Sequence, residues 1–225
     1  MSRHRLRPAL IHSALRQDRL GANWWEVAGK TCVAAYQPIG AVDIAASYIN
    51  LANPGTYNAA PGTAPTFAAA TGWTFNGSTQ YLTTGVVPVS GSSMAVRFSG
   101  GAGTVLEFVA GLHDSDEDNR FYLMPRYTFD SHYYGYGDSA RLAALRLASG
   151  IMAIAASNCY LDGASEGTTS GTWNNTLLEC YIGAQNSKNG AVSHFGGTIQ
   201  AVAIYSDTLT APQVATLSTA MAALT

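Results

Sequence analysis

Lysine occurs only twice in this chain, at Lys30 and Lys188, and charged residues of every kind make up 12% of it, about half the usual share. So few charges leave the surface to Ser, Thr, Asn, Gln and Gly, which argues against a charge-laced helical bundle and for a loop-rich β protein. Cysteine is equally scarce. Cys32, Cys159 and Cys180 are too few and too scattered for a disulfide framework or a zinc site, and the odd count leaves at least one thiol free. They are expected as small apolar core residues on strands. No apolar run reaches the about 18 residues needed to cross a bilayer, and the N-terminus lacks the apolar stretch of a secretory signal.

Motifs of catalysis are missing too. Gly163-Ala164-Ser165-Glu166-Gly167 matches the Gly-x-Ser-x-Gly pattern, but that chemistry needs a strand, a strained turn and a helix. Thr168-Thr169-Ser170-Gly171 cannot start an amphipathic helix, so the segment reads as a loop. The five histidines show no ligand spacing. Gly135-Tyr136-Gly137 lacks the strand-turn-helix setting of a nucleotide loop.

What the chain does have begins with an uneven charge. Residues 1–19 carry a net +4, through Arg3, Arg5, Arg7, Arg16 and Arg19 against Asp18, and the remainder carries −6. A basic arm on a mildly acidic body is a pattern of attachment. Within residues 1–22, Pro8 suits a first helical turn, Leu10, Ile11, Ala14 and Leu15 share one apolar side, and Gly21 suits a stop. A helix this short is marginal alone in water and needs a docking surface. The boundaries expected are an arm at 1–22 and a body at 23–225, a length that suits one large β domain.

From Thr31 onward short apolar runs alternate with Gly, Pro, Asn and Ser, the cue for a sandwich or barrel. Strands are expected at Cys32–Tyr36, Ser93–Phe98, Thr104–Ala110, Arg120–Met124, His132–Tyr136, Ile151–Ala156, Asn158–Leu161, Leu177–Ile182 and Thr198–Tyr205. Trp73–Phe75 and Gln80–Leu82 read as a hairpin around Asn76-Gly77, because that dipeptide tolerates positive φ. Residues 139–148 fit neither period cleanly and are assigned to strand on fold grounds. One helix closes the chain: Thr210 and Gln213 form a capping box around Pro212, and Val214, Leu217, Met221 and Leu224 give the packing stripe.

Four segments in order carry a family resemblance: Asp43 after the first strand, Gly72 through Tyr81, Tyr160-Leu161-Asp162-Gly163, and Phe195 through Val214. Together they resemble the signatures of the concanavalin A-like, laminin-G-like jelly rolls over about residues 31–222. The Ala-rich, Lys-poor style is similar to accessory proteins of tailed phages. The resemblance implies an all-β, two-sheet antiparallel jelly-roll sandwich with a short C-terminal helix. It also implies a non-enzymatic virion accessory protein (decoration, fibre or adsorption module). With the charge split and the docking-dependent helix, residues 1–22 become its anchor, with Arg3, Arg5, Arg7, Leu10, Ile11, Leu15, Arg16 and Arg19 meeting either an acidic groove on another subunit or nucleic acid. Homo-oligomers and a virion-surface or otherwise extracellular location belong to that expectation. The Glu-x-Asp-x-x-Glu strand of the superfamily's glucanases, which places nucleophile and acid on one face, does not occur here.

The alternative is a carbohydrate-binding module. Tyr127, Phe129, His132, Tyr133, Tyr134 and Tyr136 crowd one stretch, and exposed tyrosines stack on sugars while their hydroxyls hydrogen-bond. Strand alternation puts His132, Tyr134 and Tyr136 on one face and Tyr133 on the other. Tyr127, His132, Tyr134 and Tyr136 are the glycan-contact candidates, with core packing as the competing reading. No cofactor is expected unless calcium binds at Asp114, Asp116 and Asp118, whose alternation could wrap oxygens around a hard cation. A solvated hairpin tip is the simpler reading of those three.

Overall fold

The computed structural model describes residues 23–101, 106–127 and 130–225. The expected arm, with all its nominated contact residues, lies outside the described residues, as does Phe129. Two sheets pack face to face as a jelly-roll sandwich, closed by one helix, Ala211–Ala222. The first sheet runs Ala164–Thr168, Asn158–Leu161, Ser149–Ala155, Ser93–Gly100, Gly197–Tyr205, Gly72–Thr74, Thr66–Ala68, and Cys32–Tyr36 also pairs with Gly197–Tyr205. The second runs Ser139–Ala144, Ser131–Gly137, Asn119–Tyr127, Ala110–Asp114, Tyr181–Ile182, Tyr81–Thr83, Ala60–Thr63. A short hairpin, Gln185–Ser187 with Gly190–Val192, joins Ala110–Asp114 in the one parallel pairing between strands of the described residues.

Alternation along Gly197–Tyr205 explains why the sandwich has two apolar layers. Ile199, Val202 and Ile204 point into the space between the sheets, among Trp73, Phe98, Leu112, Phe121 and Leu123. Ala201, Ala203 and Tyr205 point the other way, beneath the helix. There the neighbouring strands offer Ala95, Ala153 and Ala155. Such small side chains let the helix settle closely, and its Val214, Leu217 and Met221 become fully covered, each contributing about 1.5–3 kcal/mol of burial. Gln213 Oε1 accepts from the Thr210 N–H at 2.9 Å, the back-reaching half of the capping box. At the other end Arg97 donates to the carbonyls of Met221 and Leu224, both at 2.8 Å, so a cation sits where the helix dipole is negative.

Four expectations need correcting. Gly72–Thr74 and Tyr81–Thr83 do not form a hairpin: they lie in different sheets. Asn76 Oδ1 accepts from the N–H groups of Ser78, Thr79 and Gln80, which turns the chain as the Asn-Gly signal suggests but carries it across the sandwich. Ala164–Thr168, expected as loop, is an edge strand on Asn158–Leu161, and irregular chain follows it where a nucleophile elbow needs a helix. The strand expected from Leu177 is only Tyr181–Ile182. The strand expected from Thr104 begins at Ala110, preceded by a lone bridge between Glu107 and Arg126; Thr104 falls outside the described residues. The strand reading of residues 139–148 corresponds to Ser139–Ala144.

One buried amide fixes the chain's first crossing. Asn50 is fully buried; its Oδ1 accepts from Ala35 N–H and Ala52 N–H, and its Nδ2 donates to the carbonyls of Val33 and Thr56. Nearby, helix Ile44–Ser47 is capped by Asp43, whose carboxylate accepts from Ala46 N–H at 2.7 Å. Its Ser47 hydroxyl takes the Trp73 indole N–H at 2.7 Å. Asn50→Ala leaves four backbone groups, that of the buried Ala35 among them, without that partner and is expected to cost about 2–4 kcal/mol in denaturant unfolding. A loss below about 1 kcal/mol would show that water substitutes for the amide.

Candidate functional site

The tyrosine-rich stretch resolves by register. Paired residues on adjacent strands share a face, and the pairings place Leu112, Phe121 and Tyr136 in one row and Ala110, Leu123 and Tyr134 in the next, all in the core between the sheets. Tyr134 and His132 are buried, and Tyr136 nearly so. The Tyr134 hydroxyl faces Glu166 Oε2 at 2.6 Å and the Tyr160 carbonyl at 3.0 Å, and burial, with Glu166 second, raises its pKa. His132 Nε2 lies 2.7 Å from Glu166 Oε2, and Nδ1 lies 2.7 Å from the Leu145 carbonyl. A carbonyl only accepts, so Nδ1 carries hydrogen. Tyr136 accepts from Gly91 N–H and packs on Trp173. Three of the four glycan-contact candidates, His132, Tyr134 and Tyr136, are therefore structural: His132 and Tyr134 tie the second sheet to Glu166 on the edge strand of the first, and Tyr136 is held by Gly91 and Trp173. Tyr127 is half-buried at the surface.

The opposite face carries the rings that the stretch leaves outside. One row runs Ala60, Thr83, Tyr181, Gly111, Tyr122, Gly135, Ala140 across the second sheet. Glycines make room in it. A Cβ at Gly135 would lie 2.4 Å from the Tyr122 ring, and one at Gly62 would lie 2.0 Å from the ring of Tyr81. Each ring thus lies flat over a bare backbone, the aromatic cover that strand glycines accept. Phe108 stands edge-on to Tyr122 with centroids 4.8 Å apart and buries it. Half-exposed ring pairs flank this covered middle: Tyr127 with Tyr133 at 4.4 Å, and Tyr81 with Tyr181 at 4.9 Å, the latter joined by His194. Partial burial lowers the His194 pKa and so favours the neutral imidazole. The alternation of Tyr133 against Tyr134 was legible beforehand. Tyr81, Tyr122 and Tyr181 were missed as members of this face, because only cross-strand register brings them together.

The three calcium candidates part ways on the hairpin between Ala110–Asp114 and Asn119–Tyr127. Asp114 is buried, and its Oδ2 accepts from the Thr176 hydroxyl at 2.8 Å. Asp116 pairs with Lys188, and Asp118, at φ +47°, pairs with Arg120 at 2.9 Å. Asp114, Asp116, Glu117 and Lys188 do line a cleft of about 340 Å³ with the exposed Leu177. Among the described residues no group of three or more His, Cys, Asp or Glu side chains converges on a metal position.

No protein-family model matches this chain, and no curated protein matches it. Solved structures do. Domain 4 of AbnA, a GH43 extracellular arabinanase from Geobacillus stearothermophilus, in complex with arabinotriose, superposes with a TM-score of 0.56 at 14% identity, over 84% of this chain and 98% of that one. Trypanosoma rangeli sialidase in complex with sialic acid gives 0.56 at 16% identity, over 84% of this chain and 32% of that one. The botulinum neurotoxin serotype D binding domain gives 0.58 at 8% identity, over 84% of this chain and 51% of that one. At such identities the likeness shows the β-sandwich fold alone.

Two outcomes follow from this geometry. Tyr134→Ala should destabilise the protein by about 3–5 kcal/mol, as large-to-small core changes do, read from the unfolding midpoint; unchanged stability would return Tyr134 to the ligand candidates. Burial pushes the thiols of Cys32 and Cys159 up to about 12 and raises that of Cys180 as well. The nucleophilic thiolate is therefore suppressed near neutrality. Thiol reagents at pH 8 should leave Cys159 and Cys180 unmodified in the native protein and label them in denaturant, as mass spectrometry would show.

Proposed function

We propose that this chain is a carbohydrate-binding module that works by binding rather than turnover, through the outer face of the second sheet. The observation that carries the reading is the pair of half-exposed tyrosine clusters, Tyr127 with Tyr133 and Tyr81 with Tyr181 and His194. A tyrosine ring offers an apolar face to sugar C–H groups, and its hydroxyl exchanges hydrogen bonds with sugar hydroxyls. Tyr81, backed by Gly62, loses little freedom on binding, so stacking on it is less offset by ordering entropy. The low share of charged residues suits a polyhydroxyl ligand better than a polyanion. Binding-only behaviour is supported by the carboxylates near these strands, which are already engaged: Glu166 with His132 and Tyr134, Asp114 with Thr176, Glu107 with Arg126. The arabinotriose complex of the similar arabinanase domain is further support.

The split charge of the sequence, +4 on residues 1–19 against −6 elsewhere, favours a compatible second reading. In it the basic segment attaches the sandwich to a larger assembly, a phage particle among them, and the tyrosine face is displayed outward.

The test is a broad glycan array followed by calorimetry on the best oligosaccharide. Tyr133→Ala and Tyr181→Ala are each made alongside Tyr134→Phe as an interior control. Loss of a stacking ring is expected to cost about 1–1.5 kcal/mol, or about tenfold in Kd, at whichever cluster holds the sugar. The control should bind like the parent. A parent chain that binds no glycan overturns the proposal.

A further inference from the structure

The helix Ala211–Ala222 does not lie bare along its outer side. It forms one wall of a groove of about 440 Å³, whose other wall is the segment Asn23–Ala28. Pro212, Thr216, Leu217 and Ala220 face Trp24 and Val27 across it. Trp24 packs edge-to-face on Trp25 at 5.5 Å. Its indole N–H is shielded from solvent and has no hydrogen-bond partner among the described residues, an expensive condition for a buried donor. The groove therefore has an apolar lining, at the point where residues 1–22 join the body.

We propose that this groove is the docking site for the chain's own residues 1–22, seated through Leu10, Ile11, Ala14 and Leu15. The sequence supplies a matching partner: those four recur at the spacing of one helix face, and the positive charge of Arg16 and Arg19 complements the exposed Glu26 at the groove rim, whose carboxylate also accepts from Asn23. Reach is sufficient. The helix wall from Pro212 to Ala220 is about 12 Å long at the α-helical rise. The seven residues between Leu15 and Asn23 span up to about 23 Å when extended. Tethering makes even a weak contact effective. At an effective concentration of order 1 mM, an interaction with a Kd of about 1 mM is half-populated within one molecule, although it would be negligible between molecules at micromolar concentration. Docking by the apolar side leaves Arg3, Arg5 and Arg7 free for the partner invoked above, so the groove would set the arm's direction instead of leaving it a loose tether.

Hydrogen exchange on the full chain tests this, with Ile11→Asp/Leu15→Asp as the arm variant. Amides of Ala211–Ala222 should exchange about twofold or more faster in that variant, while those of Ser93–Gly100 stay unchanged, which separates undocking from general destabilisation. Ala220→Trp, which fills the groove and leaves the arm sequence intact, should speed trypsin cleavage after Arg16 and Arg19 by a similar factor. Equal helix exchange in parent and arm variant overturns the proposal. Protection that grows with protein concentration also overturns it, because the occupant would then be the arm of a second copy.

Discussion

Gly197–Tyr205 is hydrogen-bonded along one edge to Ser93–Gly100 and shares its other edge between Gly72–Thr74 and Cys32–Tyr36. The division falls where the register shifts between Ile199 and Ala201. Such a shift rotates the strand locally, and it lets one strand serve two short partners that approach from different parts of the chain. The same alternation sends alternate side chains to the core between the sheets and to the layer under the helix. Removing this strand would leave the first sheet in three pieces: Ala164–Thr168 through Ser93–Gly100, the pair Gly72–Thr74 with Thr66–Ala68, and Cys32–Tyr36 alone. The other supports, the Asn50 amide and the Trp73–Ser47 bond, hold the early chain against a frame that this strand defines.

Local chemistry was legible in the sequence wherever the structure obeys a local rule. Thr210, Pro212 and Gln213 start a helix because capping depends on neighbours three residues away. Asp43 caps the short helix by a similarly local bond, although only a loop was expected there. The segments Tyr160–Gly163 and Phe195–Val214 fall on the strand, turn and helix expected of them. Errors came where a local signal was asked a non-local question. Asn76-Gly77 does reverse the chain, yet nothing within a few residues says whether the next strand returns to the same sheet or crosses to the other. The edge strand Ala164–Thr168 is polar and half-exposed, so its composition looks like a loop until a partner strand is known.

The candidate site shows the same limit more sharply. Alternation divided His132, Tyr134 and Tyr136 from Tyr133, but it could not say which set faces water. The decision rests on Gly111 and Gly135, which sit on either side of Tyr122 in one row, and on Glu166 arriving from the opposite sheet to take the inner polar atoms. Those are long-range facts. The result is a face in which aromatic rings are held flat by absent side chains, and an interior in which the same residue type serves as a hydrogen-bonded tie.

The central strand also governs when the fold can exist at all. Cys32 pairs with Tyr205, about 170 residues later, so the first sheet is built from contacts of very high sequence separation, the kind that slows folding. During synthesis the segments around Cys32–Tyr36 and Ser93–Gly100 leave the ribosome long before the strand that joins them. In that interval their apolar edges stand unpaired and open to wrong partners. A frame completed last must be guarded meanwhile by what the early chain can do alone. Asp43, Ser47 and Asn50 each bond a backbone group no more than six residues away, contacts that can form before the closing strand arrives.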